Sequence, residues 1–155
     1  MKKILLAIVI IAAMYACGNQ NGSPAATKSA EEKTASENPA YDPNRGEGKF
    51  KDVEVSGKLD AAMAEAGNKV YSVKCGACHK TTDEKLVGPG WKGVTARHSA
   101  AWIMNFITNT DEMLTKDPKA QAQLEICLVR MPNQNLSDAD ARSLYEFMRK
   151  NDGVK

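Results

Sequence analysis

Aromatic residues are scarce, at 6% of 155, and the chain holds only two histidines, four cysteines and one long apolar run, Ile4 to Ala13. That run falls short of the roughly 20 residues a membrane-spanning helix needs, which excludes a multi-pass membrane protein. Four unevenly spaced cysteines are too few for a disulfide scaffold. Nor is there an excess of either charge: 21 basic residues stand against 19 acidic ones, a formal net of +2. A nucleic-acid partner, which selects for a strongly basic face, is therefore not expected. The length leaves room for one modest domain.

What is present begins with an address. Lys2 and Lys3 precede the apolar run, and Met14-Tyr15-Ala16-Cys17-Gly18 follows it. A charged start, an apolar stretch and small residues before the cut describe a bacterial export signal, here residues 1–16. A small residue directly before a cysteine resembles a lipoprotein processing site, at which Cys17 becomes the acylated N-terminus, although Met14 and Tyr15 depart from the usual residues. The alternative is a soluble secreted protein with a spare thiol. Residues 18–58 are rich in Asn, Gly, Ser, Pro, Ala, Lys and Glu and too poor in apolar groups to bury a core. The expectation is a polar leash over 17–58, spanning about 35 Å as a flexible chain. A second possibility is that Gly46, Gly48 and Phe50-Lys-Asp-Val-Glu-Val55 dock as an extended flap.

The folding unit is expected at 59–155, all-α, because its apolar spacing is helical nearly throughout. Asp60 can cap a first helix with Met63, Gly67, Val70 and Tyr71 on one face, and Gly67 allows another helix to cross closely. Ser99 can cap a second, with Trp102, Ile103, Phe106 and Ile107 as its stripe. Asp117-Pro118 starts a third, burying Ala120, Leu124, Cys127 and Leu128. Ser137 with Asp140 opens a last helix carrying Leu144, Phe147 and Met148, with Arg149 and Lys150 at its C-terminal dipole and Gly153 as its stop. Gly88-Pro89-Gly90 and Gly93 force an irregular loop between the first and second helices.

The chemistry lies in Cys75-Gly76-Ala77-Cys78-His79, the C-x-x-C-H pattern of covalent haem attachment. Two thiols two residues apart reach the two vinyl groups of one porphyrin while the adjoining imidazole turns under the iron. A thioredoxin-like redox pair would need a βαβ setting, and a zinc site would need a second ligand pair, whereas only Cys127 and His98 remain. A domain this small and this poor in aromatics also gains from a large apolar cofactor as part of its core.

Here the sequence resembles the small class I c-type cytochromes, over about Leu59 to Asn151. The motifs are Gly67 and Tyr71 ahead of Cys75–His79, then Leu86-Val-Gly-Pro89, Met131-Pro132, and Leu136-Ser-Asp-Ala-Asp140. The resemblance implies four or so helices around one haem c attached through Cys75 and Cys78. It also implies that the Pro89 carbonyl accepts the His79 ring N–H. His79 fills one axial position of the iron. For the other, the residues leave His98 and the methionines 63, 104, 113, 131 and 148 open. Met131 stands out because Pro132 breaks the helix and the polar stretch beyond extends a loop. The family carries its methionine ligand at this position. Trp91, Arg97 and His98 are candidates to hold the propionates, Cys127 reads as a small buried hydrophobe, and Lys74, Lys80, Lys85 and Lys92 as a docking ring or a solvated face.

A His/Met pair closes the iron to ligands and suits outer-sphere transfer of one electron. The expectation is a monomeric, membrane-anchored periplasmic carrier and not an enzyme. Its partners would be respiratory: a quinol-oxidising complex as donor and a terminal oxidase or reductase as acceptor. The competing readings are a haem sensor or enzyme with a displaceable sixth ligand, and a fixed electron-entry subunit of an oxidase or reductase.

Overall fold

The computed structural model describes residues 41–155. The expected export signal at 1–16, Cys17 and the part of the expected leash up to residue 40 lie outside the described residues. Six helices follow in order: α1 Ala61–Lys74, α2 Val94–Arg97, α3 Ala100–Thr108, α4 Thr110–Lys116, α5 Pro118–Cys127 and α6 Asp138–Asn151. No strand occurs among the described residues. The four expected caps all form. Asp60 accepts from the Met63 N–H, Ser99 from Trp102, Asp117 from Ala120 and Ser137 from Asp140, the last completed as a capping box. Each satisfies a donor the helix cannot, contributing about 1 kcal/mol.

The frame is the crossing of α1 and α6. Gly67 is buried there, and a Cβ on it would run into the Ser143 carbonyl, so only glycine lets the two backbones come this close. Tyr71 and Phe147 extend the contact, their ring centroids 5.2 Å apart. The buried residues of α1 are Ala64 and Gly67, and Met63 is turned outward at 41% exposure, contrary to the expected face. Small residues set the crossing and leave no room for the longer side chain.

Two elements were not foreseen. The one-turn α2 follows Gly93, which adopts a left-handed φ of 73°. α4 sits between the two capped helices and packs on α5. Leu128, expected in the buried stripe of α5, instead ends that helix at φ 60° and is 85% exposed. Cys127 before it is half-buried and lines the cleft described below.

The end of the expected leash is also different. Residues 41–56 are strapped across the helical unit, as the docked alternative has it for Gly46 to Val55. The side chain of Asn105, fully buried on α3, accepts from the Phe50 N–H (2.9 Å) and donates to the Phe50 and Arg45 carbonyls (2.8 and 3.0 Å). This amide acts as the pairing strand an extended segment otherwise lacks. Asn109 donates to the Glu47 carbonyl, Lys119 to that of Pro43, and the Tyr41 hydroxyl to Asp117. Arg142 and Arg149 of α6 hold the Glu54 and Ser56 carbonyls. The same arginines pair with Glu146, which is 1% exposed and meets Arg149 at 2.7 Å.

Candidate haem-binding site

α1 delivers Cys75 at its C-terminal cap, and the chain turns tightly from there. The Cys75 N–H bonds to the Tyr71 carbonyl (2.9 Å), and those of Cys78 and His79 return to Cys75 (3.0 and 2.9 Å). The Tyr71 hydroxyl donates to the His79 carbonyl at 2.6 Å. The Cys78 carbonyl in turn accepts from Val87 and Gly88, which folds the glycine-rich loop over the motif. A Cβ on Gly88 would collide with the His79 ring, so glycine here clears the space the imidazole occupies. Pro89 then presents its carbonyl 2.9 Å from His79 Nδ1. As the acceptor of the Nδ1–H, it selects the tautomer in which Nε2 carries the free lone pair.

His79 opens onto a cleft with two adjoining branches, of about 780 and 560 Å³, which share His79, Pro89, Phe106, Gln123, Cys127 and Met131 as lining. Trp91, Arg97, His98, Trp102 and Met148 line the larger branch. Met131 therefore faces both branches and Met148 only one. Met63, Met104 and Met113 do not line the cleft; Met113 is fully buried under the strap, its sulfur 3.0 Å from the Glu47 nitrogen. His98 stacks on Trp102 at 3.9 Å, Trp102 stacks on Phe106 at 5.2 Å, and the three rings form one apolar wall. Arg97 stands at the rim, its guanidinium donating to the Lys92 carbonyl at 2.6 Å.

Burial shapes the titration of these groups. It pushes the Cys75 thiol up to about 11, with Lys74 opposing and Cys78 adding to the rise. It lowers His79, against the Pro89 hydrogen bond, so the ring is neutral and free to ligate. It lowers His98 to about 4, helped by Lys119 and Arg97 and opposed by Asp117.

Of the four lysines, Lys80 pairs with Glu84 at 2.6 Å, while Lys74 and Lys85 reach across the cleft mouth to the Gln134 and Ile126 carbonyls. Around that mouth Leu86, Val87, Ile126, Leu128 and Val129 are exposed. Sequence reasoning passed over this apolar rim, although the pairs Leu86-Val87 and Leu128-Val129, each beside a haem motif, signalled it. It also missed the Tyr71 bond to His79.

These features fit a covalently held haem. Two thiols lie in one turn, an oriented neutral imidazole keeps one nitrogen free, and the cleft wall is aromatic and aliphatic. The comparisons agree. The cytochrome c family pattern matches residues 64–152. Cytochrome c-551 of Azotobacter vinelandii is 32% identical over 85 residues, which cover 54% of this chain and 95% of that protein. Among solved structures, cytochrome c from Rhodothermus marinus superposes with a TM-score of 0.65 at 30% identity, covering 68% of this chain and 90% of that one. An engineered form of it scores the same. With its attachment motif, its oriented imidazole and its helical frame, this chain belongs to the cytochrome c family, as a class I electron-transfer protein that carries one haem c bound through Cys75 and Cys78.

Proposed function

We propose that the protein is a lipid-tethered monohaem carrier outside the cytoplasm, with the haem iron held between His79 and Met131. The observation that carries the ligand assignment is the cleft itself: among its lining residues, only Met131 is a thioether facing both branches shared with His79. Bound there, haem c supplies a one-electron couple whose potential a methionine ligand raises. The chain's own residues do the rest. Pro89 orients the imidazole, the Trp102 wall would shield the bound group from water, and Trp91 and Arg97, which line the same cleft, would be the donors to its propionates.

The exposed apolar rim beside Lys74, Lys80 and Lys85 suits brief docking of respiratory partners: a quinol-oxidising donor and a terminal oxidase or reductase as acceptor. Anchoring would come from acylation of Cys17, and stable retention at a bilayer takes more than one acyl chain. Labelled fatty acid should enter the wild type and not Cys17→Ala, which should fractionate as soluble protein. Soluble behaviour of both would remove the anchor.

The ligand pair is tested on the ferric protein matured with haem. A weak sulfur-to-iron band near the red edge of the visible spectrum is expected, and the ferrous protein should resist carbon monoxide. Ready binding of carbon monoxide by the wild type would favour a sensor or catalyst with a displaceable ligand.

A further inference from the structure

α5 begins on a carboxylate that does more than cap it. Asp117 has no exposed surface. It accepts three hydrogen bonds: from the Ala120 N–H of α5 (2.8 Å), from Trp102 Nε1 (2.8 Å), and from the Tyr41 hydroxyl of the strap. No lysine, arginine or histidine forms a salt bridge with it among the described residues. Neutral donors and the N-terminal end of α5 are thus its whole compensation. Burial, the hydrogen bond to Asp117 and the charge of Asp117 all raise the Tyr41 phenol.

What makes this placement consequential is Trp102. Its ring is part of the cleft wall, stacked between His98 and Phe106, while its N–H points away to Asp117. The carboxylate lies one indole away from the haem cleft, on the side shielded by the strap. A solvent-exposed charge at that range would be screened by salt and water, whereas a dry one acts through a low dielectric. The nearby cations are placed differently. Lys119 spends its ammonium on the Pro43 carbonyl at the surface, and Arg97 is exposed at the rim.

We propose that Asp117 is a redox-tuning residue: a fixed negative charge, held dry by Tyr41 of the N-terminal strap and coupled to the haem through Trp102, that stabilises the ferric state and sets the potential lower than His/Met ligation alone would. The proposal rests on the haem occupying the cleft described above. Trp102 and Asp117 lie within the residues matched by the family pattern, and Tyr41 of the strap precedes them.

The test is potentiometry of the full haem-loaded chain. Asp117→Asn and Asp117→Ser both remove the charge and keep a side chain able to cap α5. Each should shift the midpoint potential upward, in low salt and in high salt alike, with the haem content and the ferric ligand band unchanged. Asp117→Glu, which keeps the charge, should stay near the wild type and separates charge from cap geometry. Neutral variants with intact spectra and an unmoved or lowered potential would overturn the proposal, as would a shift that vanishes in high salt. Loss of haem from every variant would mark Asp117 as structural and equally overturn it. If the ligand band is already absent from the wild type, the ligand assignment fails and the charge comparison still stands on its own.

Discussion

The two walls of the cleft are built by different means. On the His79 wall the backbone is tied at several points: Cys78 to Val87 and Gly88, Lys80 to Trp91, Thr82 to Lys92, with Tyr71 and Pro89 fixing the histidine itself. On the opposite wall, residues 129–136 make no backbone-to-backbone hydrogen bond among the described residues. That segment is held from outside, by Lys74 on Gln134 and Arg130 on Asp111, with Lys85 on Ile126 at the end of α5 just before it. One wall is preorganised by the chain. The other has its geometry completed by what it binds, as a loop with few internal bonds belongs to the low end of local stability.

Removing the haem tests this most severely. Cys75→Ala with Cys78→Ala should yield protein without covalent haem even where attachment machinery is active, and the far wall should lose its order first. Mass spectrometry reads the missing haem, and amide exchange should show residues 126–136 exchanging freely while α1 and α6 retain protection. Equal loss on both walls would break the comparison. Since the cofactor supplies much of the apolar contact in so small a domain, the apoprotein should be marginal as a whole.

Met131→Ala comes next. Met131 is only partly buried, so its truncation should cost less than the ~2–5 kcal/mol of a fully buried methionine, and on the proposed assignment a ligand is lost as well. The red-edge band should vanish, the potential should fall, and carbon monoxide or cyanide should bind. Met113→Ala should lower stability without any of these spectral changes, because its sulfur faces Gly46 and Glu47 under the strap.

On the rigid wall, Gly88→Ala is the sharper probe. The new Cβ meets the His79 ring, and overpacking of this kind costs about 1–3 kcal/mol. Because the Pro89 carbonyl holds the ring at Nδ1 and Tyr71 holds the His79 backbone, the strain should appear as a tilted imidazole, visible as shifted His79 ring-proton resonances in the NMR spectrum of the haem-loaded protein. Unchanged resonances at full stability would show that this wall yields more than its hydrogen bonds suggest.

The asymmetry also explains what could be read from the sequence. The rigid wall is local: C-x-x-C-H, Gly88-Pro89 and the caps at Asp60, Ser99, Asp117 and Ser137 are each short patterns whose partners lie within about ten residues, so their geometry follows from spacing. Between leash and docked flap the sequence does not decide for this segment, because the strap's partners, Asn105, Asn109 and Met113, lie over 50 positions away and are polar or flexible. Composition alone cannot distinguish a polar segment paired to a buried amide from one paired to water. Met63 and Leu128 failed for a related reason. Periodicity says which residues share a face, and the partner helix or a left-handed cap decides which face is buried.

The smallest expected effect bears most directly on the looser wall. Lys74 and Lys85 are exposed, and exposed links of this kind are each worth below about 1 kcal/mol, so replacing both by methionine should leave the melting temperature nearly unchanged. Their position matters more than their strength. Both ammonium groups cross from the His79 side of the mouth to carbonyls that flank Met131 before and after it, and among the described residues no backbone bond of residues 129–136 duplicates them. Losing them should raise the population in which the segment swings out, and a change of about 1 kcal/mol in that local equilibrium is about fivefold. The rate at which imidazole or cyanide displaces the sixth ligand of the ferric protein should therefore rise several-fold in Lys74→Met/Lys85→Met. The control is Lys80→Met, whose partner Glu84 lies on its own wall, and it should leave that rate unchanged. Equal rates in all three proteins would mean that the haem alone holds Met131 in place and that the lysines serve only the surface.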